Sequence, residues 1–192
     1  MKTKQEIINV FSDISEDMIT NYHNELYRLL QNEYVYLKKK NKIENEEDAL
    51  KNPDIIMLYL YADWLANNTF LMFYSYAEEW IFLKIKGTQY HSLIEDRGSI
   101  TRFKKPLKQL GLDVSRQDWC ILTEAEHIRN CLSHADGRID LISIRDKDLN
   151  KIISKPKNKQ FFKQKNQRLN VTREYLNYFK NAVRNILHHP EC

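Results

Sequence analysis

Glycine and proline interrupt helices and build tight turns, and this chain of 192 residues holds only four of each. Average usage would make them about 12% of a chain. A sandwich or barrel needs turn residues every 8–12 positions or so, and the supply here is too small. The sequence predicts an all-α fold, an antiparallel helical bundle in one domain over 1–192. With 42% hydrophobic residues it can bury a core.

The few glycines and prolines fall where helices begin, bend or end. Thr3 and Glu6 have capping-box spacing, and Ile7, Ile8, Phe11, Ile14, Met18, Tyr22, Leu26, Leu29 and Leu30 recur at helical intervals up to Lys38–Lys40. One long helix is expected, with a bend near Ser12 to Asp17. Asn52-Pro53-Asp54 reads as an N-cap with proline at the first helical position, opening a helix that runs to Gly87 and is apolar nearly all round. Ser99 opens a short basic helix ending at Gly111 with Pro106 bending it, and Ser115 with Asp118 caps a helix that stops at Gly137. Arg138 to Arg145 partly alternates and is expected to pair with Leu169–Val171 as a small two-stranded hairpin within 138–171. Lys151 to Arg168 carries seven basic residues and no acidic one, which predicts a mobile loop. Thr172 opens the terminal helix.

Charge and cysteine usage narrow the function classes. Thirty Lys and Arg against 26 Asp and Glu give +4, so any nucleic-acid site must be a local basic patch. Cys120, Cys131 and Cys192 are an odd number without C-x-x-C spacing, which argues against a disulfide framework and for a reducing, cytoplasmic setting. The first eleven residues lack the apolar run of a signal peptide. The longest uncharged stretch, Trp64–Ala77, has 14 residues and is too short for a membrane span.

The chemistry concentrates in Trp119–Gly137. Counting about 100° per residue from Ile121, the residues Ala125, Ile128, Leu132 and Ala135 fall on one line and form a core stripe. Asn130 and His134 are neighbours on the opposite face, which Trp119, Thr123 and Glu126 share, and Arg129 sits at about 80°, between that face and the core stripe. Imidazole transfers protons near neutral pH, and guanidinium holds a phosphate through two parallel hydrogen bonds.

The pattern Arg129-Asn130-x-x-x-His134 resembles the signature of the HEPN superfamily of helical nucleases and toxins. Tyr74–Trp80, Leu107–Gly111, the approach through Trp119 and the Gly137 after the histidine extend the likeness over residues 54–137, toward the abortive-infection and toxin branches. The resemblance implies a helical bundle that dimerises into a composite active site, without a cofactor. It also implies metal-independent cleavage of RNA by 2′-OH attack, with His134 as acid or base, Arg129 on the phosphate and Asn130 orienting imidazole or substrate. The implied role is a toxin or antiviral-defence effector, with an antitoxin or companion defence protein as a further partner. The alternative is a non-catalytic HEPN-like module binding RNA or a protein partner. In HEPN toxins silenced by a nucleotidyltransferase a Tyr stands two residues after the His; here that position is Asp136, so that control is not implied. Glu78 or Glu79 matches the acidic residue that many branches carry in the preceding long helix.

Three further features compete for attention. Arg184-Asn185-x-x-x-His189 repeats the motif, but it runs into Pro190 and the chain end, whereas the first copy is followed by a helix-ending glycine and further structure. Lys155, Lys157, Lys159, Lys163 and Lys165, with Phe161 and Phe162, are the candidate RNA-backbone contacts and stacking groups, with Arg102, Lys104, Lys105 and Lys108 as a second cluster. Cys120, His127, Cys131 and His134 share a stripe that invites a zinc reading, but Cys120 lies about 10 Å along the axis from His127, so at most three could meet and no fourth ligand is evident.

Overall fold

The computed structural model describes residues 4–96, 98–114, 116–142 and 146–188. Two helices dominate: α1, Lys4–Lys40, and α3, Pro53–Lys86, joined through the short α2, Glu46–Ala49. A 3₁₀ turn, Ile100–Phe103, leads into α4, Lys104–Gln109, and then come α5, Gln117–Ala135, and the single turn α6, Ile139–Ile142. After α7, Lys147–Ser154, a hairpin of β1, Phe162–Lys165, and β2, Arg168–Val171, precedes α8, Arg173–Leu187. This is the all-α architecture with one small hairpin that the scarcity of turn residues predicts. None of the described helices is long and apolar enough to cross a membrane.

The caps explain the boundaries. The Asn52 side chain accepts from the amides of Asp54 and Ile55 at 3.0 and 3.2 Å, with Pro53 at the start of α3. Thr172 accepts from the Tyr175 amide at the start of α8. Thr3 and Ser115 lie outside the described residues, and Arg116 holds the N-cap position of α5. α1 stays helical through Ser12–Asp17, where a bend was expected.

α3 is the spine, in contact with α1, α5, α8 and β2. Its Phe70 and Tyr74 meet Phe179 of α8 with ring centroids 5.3 and 6.1 Å apart. The predicted stripe of α5, from Ile121 through Ala125, Ile128 and Leu132 to Ala135, is buried here. Such packing makes α3 apolar on more than one side, as its sequence requires.

The hairpin and the basic segment depart from expectation. The strand opposite Leu169–Val171 is Phe162–Lys165, with Phe162 against Val171 and Lys165 against Arg168. Residues 139–142 form a helical turn and Arg138 makes an isolated bridge to Arg168, while 143–145 of the expected strand lie outside the described residues. Lys151–Arg168 is therefore not a loop: it contributes the end of α7, a 3₁₀ turn and β1. Phe161 and Phe162 are buried, not exposed for stacking, because Phe161 lies 4.7 Å from Tyr178 and Phe162 4.7 Å from Tyr175. Two strands are marginal alone, and Asn67 of α3 holds this pair in place. Its amide donates to Asn170 at 2.9 Å, and its carbonyl accepts from the Val171 amide at 3.0 Å.

α1 is turned against its own polarity. Ser12, Glu16 and His23 are 1–6% exposed and face inward. Ile7, Val10, Phe11, Ile14, Met18, Tyr22 and Leu29 are 40–68% exposed on the opposite side. Counted at about 100° per residue, those seven share one arc of roughly 120°. The reason lies in the partners: Glu16 meets Arg184 of α8 at 2.5 Å, and the His23 Nδ1 meets the Thr69 hydroxyl of α3 at 2.9 Å.

Candidate functional site

The site is built on the last turns of α5. Asp136 caps that helix in the left-handed conformation (φ 48°), and Gly137 follows at φ 75°. The strand β2 then crosses so closely that a Cβ on Gly137 would stand 2.8 Å from the Leu169 carbonyl oxygen. Glycine is needed there for both reasons. Arg168 pairs with the Asp136 carboxylate and also donates to its carbonyl at 3.1 Å. The hairpin thus clamps the end of the helix that carries His134.

The three motif residues come together. Arg129 Nη1 donates to the Asn130 Oδ1 at 2.9 Å and lies 3.5 Å from the His134 Nε2. The guanidinium sits 5.8 Å over the ring of Tyr74 from α3. Among the described residues it has no carboxylate partner. Burial pushes the Tyr74 phenol well above its ordinary pKa, so it stays a neutral platform. Its hydroxyl shares a hydrogen bond of 2.7 Å with Ser99, which donates to Glu78 at 2.8 Å. Of the two candidate acidic residues, Glu78 is therefore the one joined to this network, while Glu79 is exposed.

Asn130 and His134 open onto a cleft of about 930 Å³. Its remaining lining includes Thr101, Thr123, Glu126, His127, Leu141, Ile142 and Asp146–Asp148. Arg129 borders the cleft at His134 rather than lining it. His127 and Asp146 went unnoticed as a pair in the sequence because 19 residues separate them, yet Nδ1 of His127 lies 2.6 Å from Asp146 Oδ2. Asp146 is fixed in turn, because its Oδ1 accepts from the amides of Asp148 and Leu149 at the start of α7. Glu126 Oε2 is buried with no hydrogen-bond partner among the described residues.

Trp119 departs from expectation: it is buried, so the face it shares with Asn130 is covered at the first turn of α5 and opens onto the cleft from Thr123 onward. Gln117 donates to Tyr178 and Asp118 accepts from Asn185, both on α8.

The five candidate RNA-contacting lysines are dispersed, and none lines the cleft. Lys155 is paired with Glu124, and Lys163 lies 3.5 Å from Asp63. Lys163 and Lys165 line a second cleft of about 700 Å³ with Arg173. Lys157 and Lys159 are exposed on the 3₁₀ turn and just after it. In the other basic cluster, Lys105 pairs with Glu95 at 2.8 Å, and Arg102 approaches Glu78 at 4.0 Å.

The zinc stripe also separates. Cys131 is buried, with its thiol pushed up to about 11 by burial and by the Asp146 charge, whereas Cys120 is exposed. Among the described residues no group of three His, Cys, Asp or Glu side chains is placed to hold a metal ion.

The second motif copy has a different setting. Arg184 donates to both oxygens of buried Glu16, at 2.5 and 3.3 Å, and Asn185 donates to Asp118 at 3.2 Å. His189 lies outside the described residues. Comparison of the chain with protein-family models, with curated proteins and with solved structures finds no match.

Proposed function

We propose that this chain is a HEPN-like endoribonuclease that cleaves RNA without a metal, acting as a toxin or antiviral-defence effector. The observation that carries the reading is the Arg129–Asn130–His134 cluster. A guanidinium free of any described carboxylate is held beside an imidazole at the rim of an open cleft. Arg129 stabilises charge that develops on the phosphate, and His134 transfers a proton as the 2′-oxygen displaces the 5′-oxygen. Lys157, Lys159 and Lys165, which have no described ion pair, track the backbone beyond the cleft, with Lys155 and Lys163 exchanging their carboxylate partners for phosphate.

The test is cleavage of cellular RNA by the purified chain in EDTA. Cutting that survives the chelator and is lost in His134→Ala supports the reading. Intact RNA, or cutting that needs a divalent ion, removes it. One observation favours the non-catalytic alternative: among the described residues, Glu126, Asp146 and Asp148 line the cleft against Lys147, a lining better suited to a basic protein partner than to a polyanion.

A second copy of the chain is a further partner in this reading. Seven α1 side chains at 40–68% exposure, with roughly 170 Å² each, present on the order of 600 Å², close to the ~800 Å² that each partner of a stable complex contributes. No described α1 residue lines the cleft, so this pairing leaves each cleft to its own chain, unlike the composite site that the resemblance implies. Phe11→Glu with Met18→Glu is expected to convert a sedimenting dimer to monomer. An unchanged sedimentation coefficient rejects α1 as the interface.

A further inference from the structure

We infer that His127, held by Asp146, is a second catalytic histidine in the cleft and serves as the general base, with His134 as the general acid. This rests on the ribonuclease reading above and assigns both proton transfers to one chain. His127 and His134 are two helical turns apart on one face of α5, about 10 Å along the axis, and both line the cleft. That rise along the axis leaves room for an RNA linkage between the two side chains. A hydrogen bond of about 2.8 Å at each end, a near-attack distance of about 3 Å and the breaking P–O bond together span on the order of 10 Å.

The orientation of His127 is set by a chain of fixed groups. The first turn of α7 holds Asp146 Oδ1 through two amides, and Oδ2 then takes the Nδ1–H of His127 at 2.6 Å. The imidazole is one-third exposed and the carboxylate 14%. With Nδ1 protonated, Nε2 carries the free lone pair, as a base requires. A carboxylate that selects the tautomer also stabilises the imidazolium formed after proton transfer.

The step balances within the two imidazoles. Nε2 of neutral His127 takes the 2′-OH proton, and the 2′-oxygen bonds to phosphorus. The P–O5′ bond breaks, and the leaving oxygen takes the proton of His134 imidazolium. The products are a 2′,3′-cyclic phosphate and a 5′-hydroxyl, with one proton moved from His134 to His127. Arg129, which borders His134, faces the charge on the phosphate oxygens.

Among the described residues, the other titratable groups around His127 are Asp148 and Lys147 from the start of α7, and Glu126 and Cys131 from its own helix. Asp148 is held below the usual carboxylate range by Lys151. The Cys131 thiol at about 11 stays neutral between pH 5 and 9.

The experiment measures kcat/KM of the full chain on a fluorophore-labelled single-stranded RNA from pH 5 to 9. Wild type is compared with His127→Gln, Asp146→Asn and His134→Ala. His127→Gln is expected to lose about 10²-fold or more and to lose the acid limb of the bell-shaped profile, whereas His134→Ala loses the alkaline limb. Free imidazole is expected to restore part of the rate of a further variant, His127→Ala. Nitrogen NMR of wild type at the alkaline end of that range is expected to place the His127 proton on Nδ1, facing Asp146, a readout independent of activity and of variant folding. A His127→Gln enzyme with the wild-type rate, or with a lower rate and both limbs intact, overturns the base assignment while leaving the reading of His134 standing. A wild-type chain that cuts no faster than His134→Ala overturns both.

Discussion

The chain contains the same short pattern twice, and its surroundings give the two copies opposite characters. Arg184 is neutralised by Glu16, which is 1% exposed, and Asn185 is tied to Asp118. Arg129 lies over Tyr74 and contacts Asn130 and His134, with no described carboxylate within ion-pair distance. A guanidinium already paired with a buried carboxylate ties α8 to α1 and has little left for a phosphate. One whose strongest neighbours are a neutral amide, an imidazole and an aromatic face keeps its charge for a ligand. Identical spacing thus yields a structural tie in one place and a candidate site in the other.

The sharpest way to break this contrast is activity. Arg129→Ala and His134→Ala are each expected to lower RNA cleavage about 10³-fold, while His189→Ala stays within twofold of wild type. Loss confined to His189→Ala would transfer the site to the second copy. Stability should divide the other way. Arg184→Ala leaves buried Glu16 with Lys180 at 3.9 Å as its cation among the described residues, and a cost of about 2 kcal/mol is expected in urea unfolding, lower than for a fully buried pair because Arg184 is half exposed. Arg129→Ala should cost under about 1 kcal/mol in the same measurement.

Gly137→Ala probes the feature that follows only the first copy. A strained backbone and a clash with the Leu169 carbonyl should cost about 1 to 2 kcal/mol and loosen the hairpin, read as faster amide exchange at Leu169.

The smallest effect concerns the polar face of α1 that anchors the second copy. Burial, and then the Arg173 charge, hold His23 below its ordinary pKa. The folded state therefore binds fewer protons than the unfolded chain below about pH 6.5. Stability should be complete above that value and fall as pH drops through it. His23→Gln should flatten this dependence, measured as the urea midpoint between pH 7.5 and 5.

Much of the fold was legible because its signals are local. Asn52 with Pro53, Thr172 and Gly137 mark boundaries by chemistry that acts over a few residues, and the stripe from Ile121 to Ala135 follows from helical periodicity alone. Periodicity also placed Asn130 and His134 on one face. It gave the extent of α1 and not its orientation, because regular spacing says that a stripe exists and not which way it faces. Glu16 and His23 turn inward only because Arg184 and Thr69 await them from distant parts of the chain. The basic run from Lys151 to Arg168 misled for a related reason, since its two phenylalanines find Tyr175 and Tyr178 only after α8 has packed.

By itself, then, the sequence determined the helical class, most helix ends and the motif that the cleft displays. Tertiary packing alone decided which motif copy is neutralised, which strand pairs with 168–171 and which carboxylate holds His127. Caps and turns depend on neighbours a few positions away. An ion pair between residues 16 and 184, or 127 and 146, depends on contacts that exist only once the helices have docked.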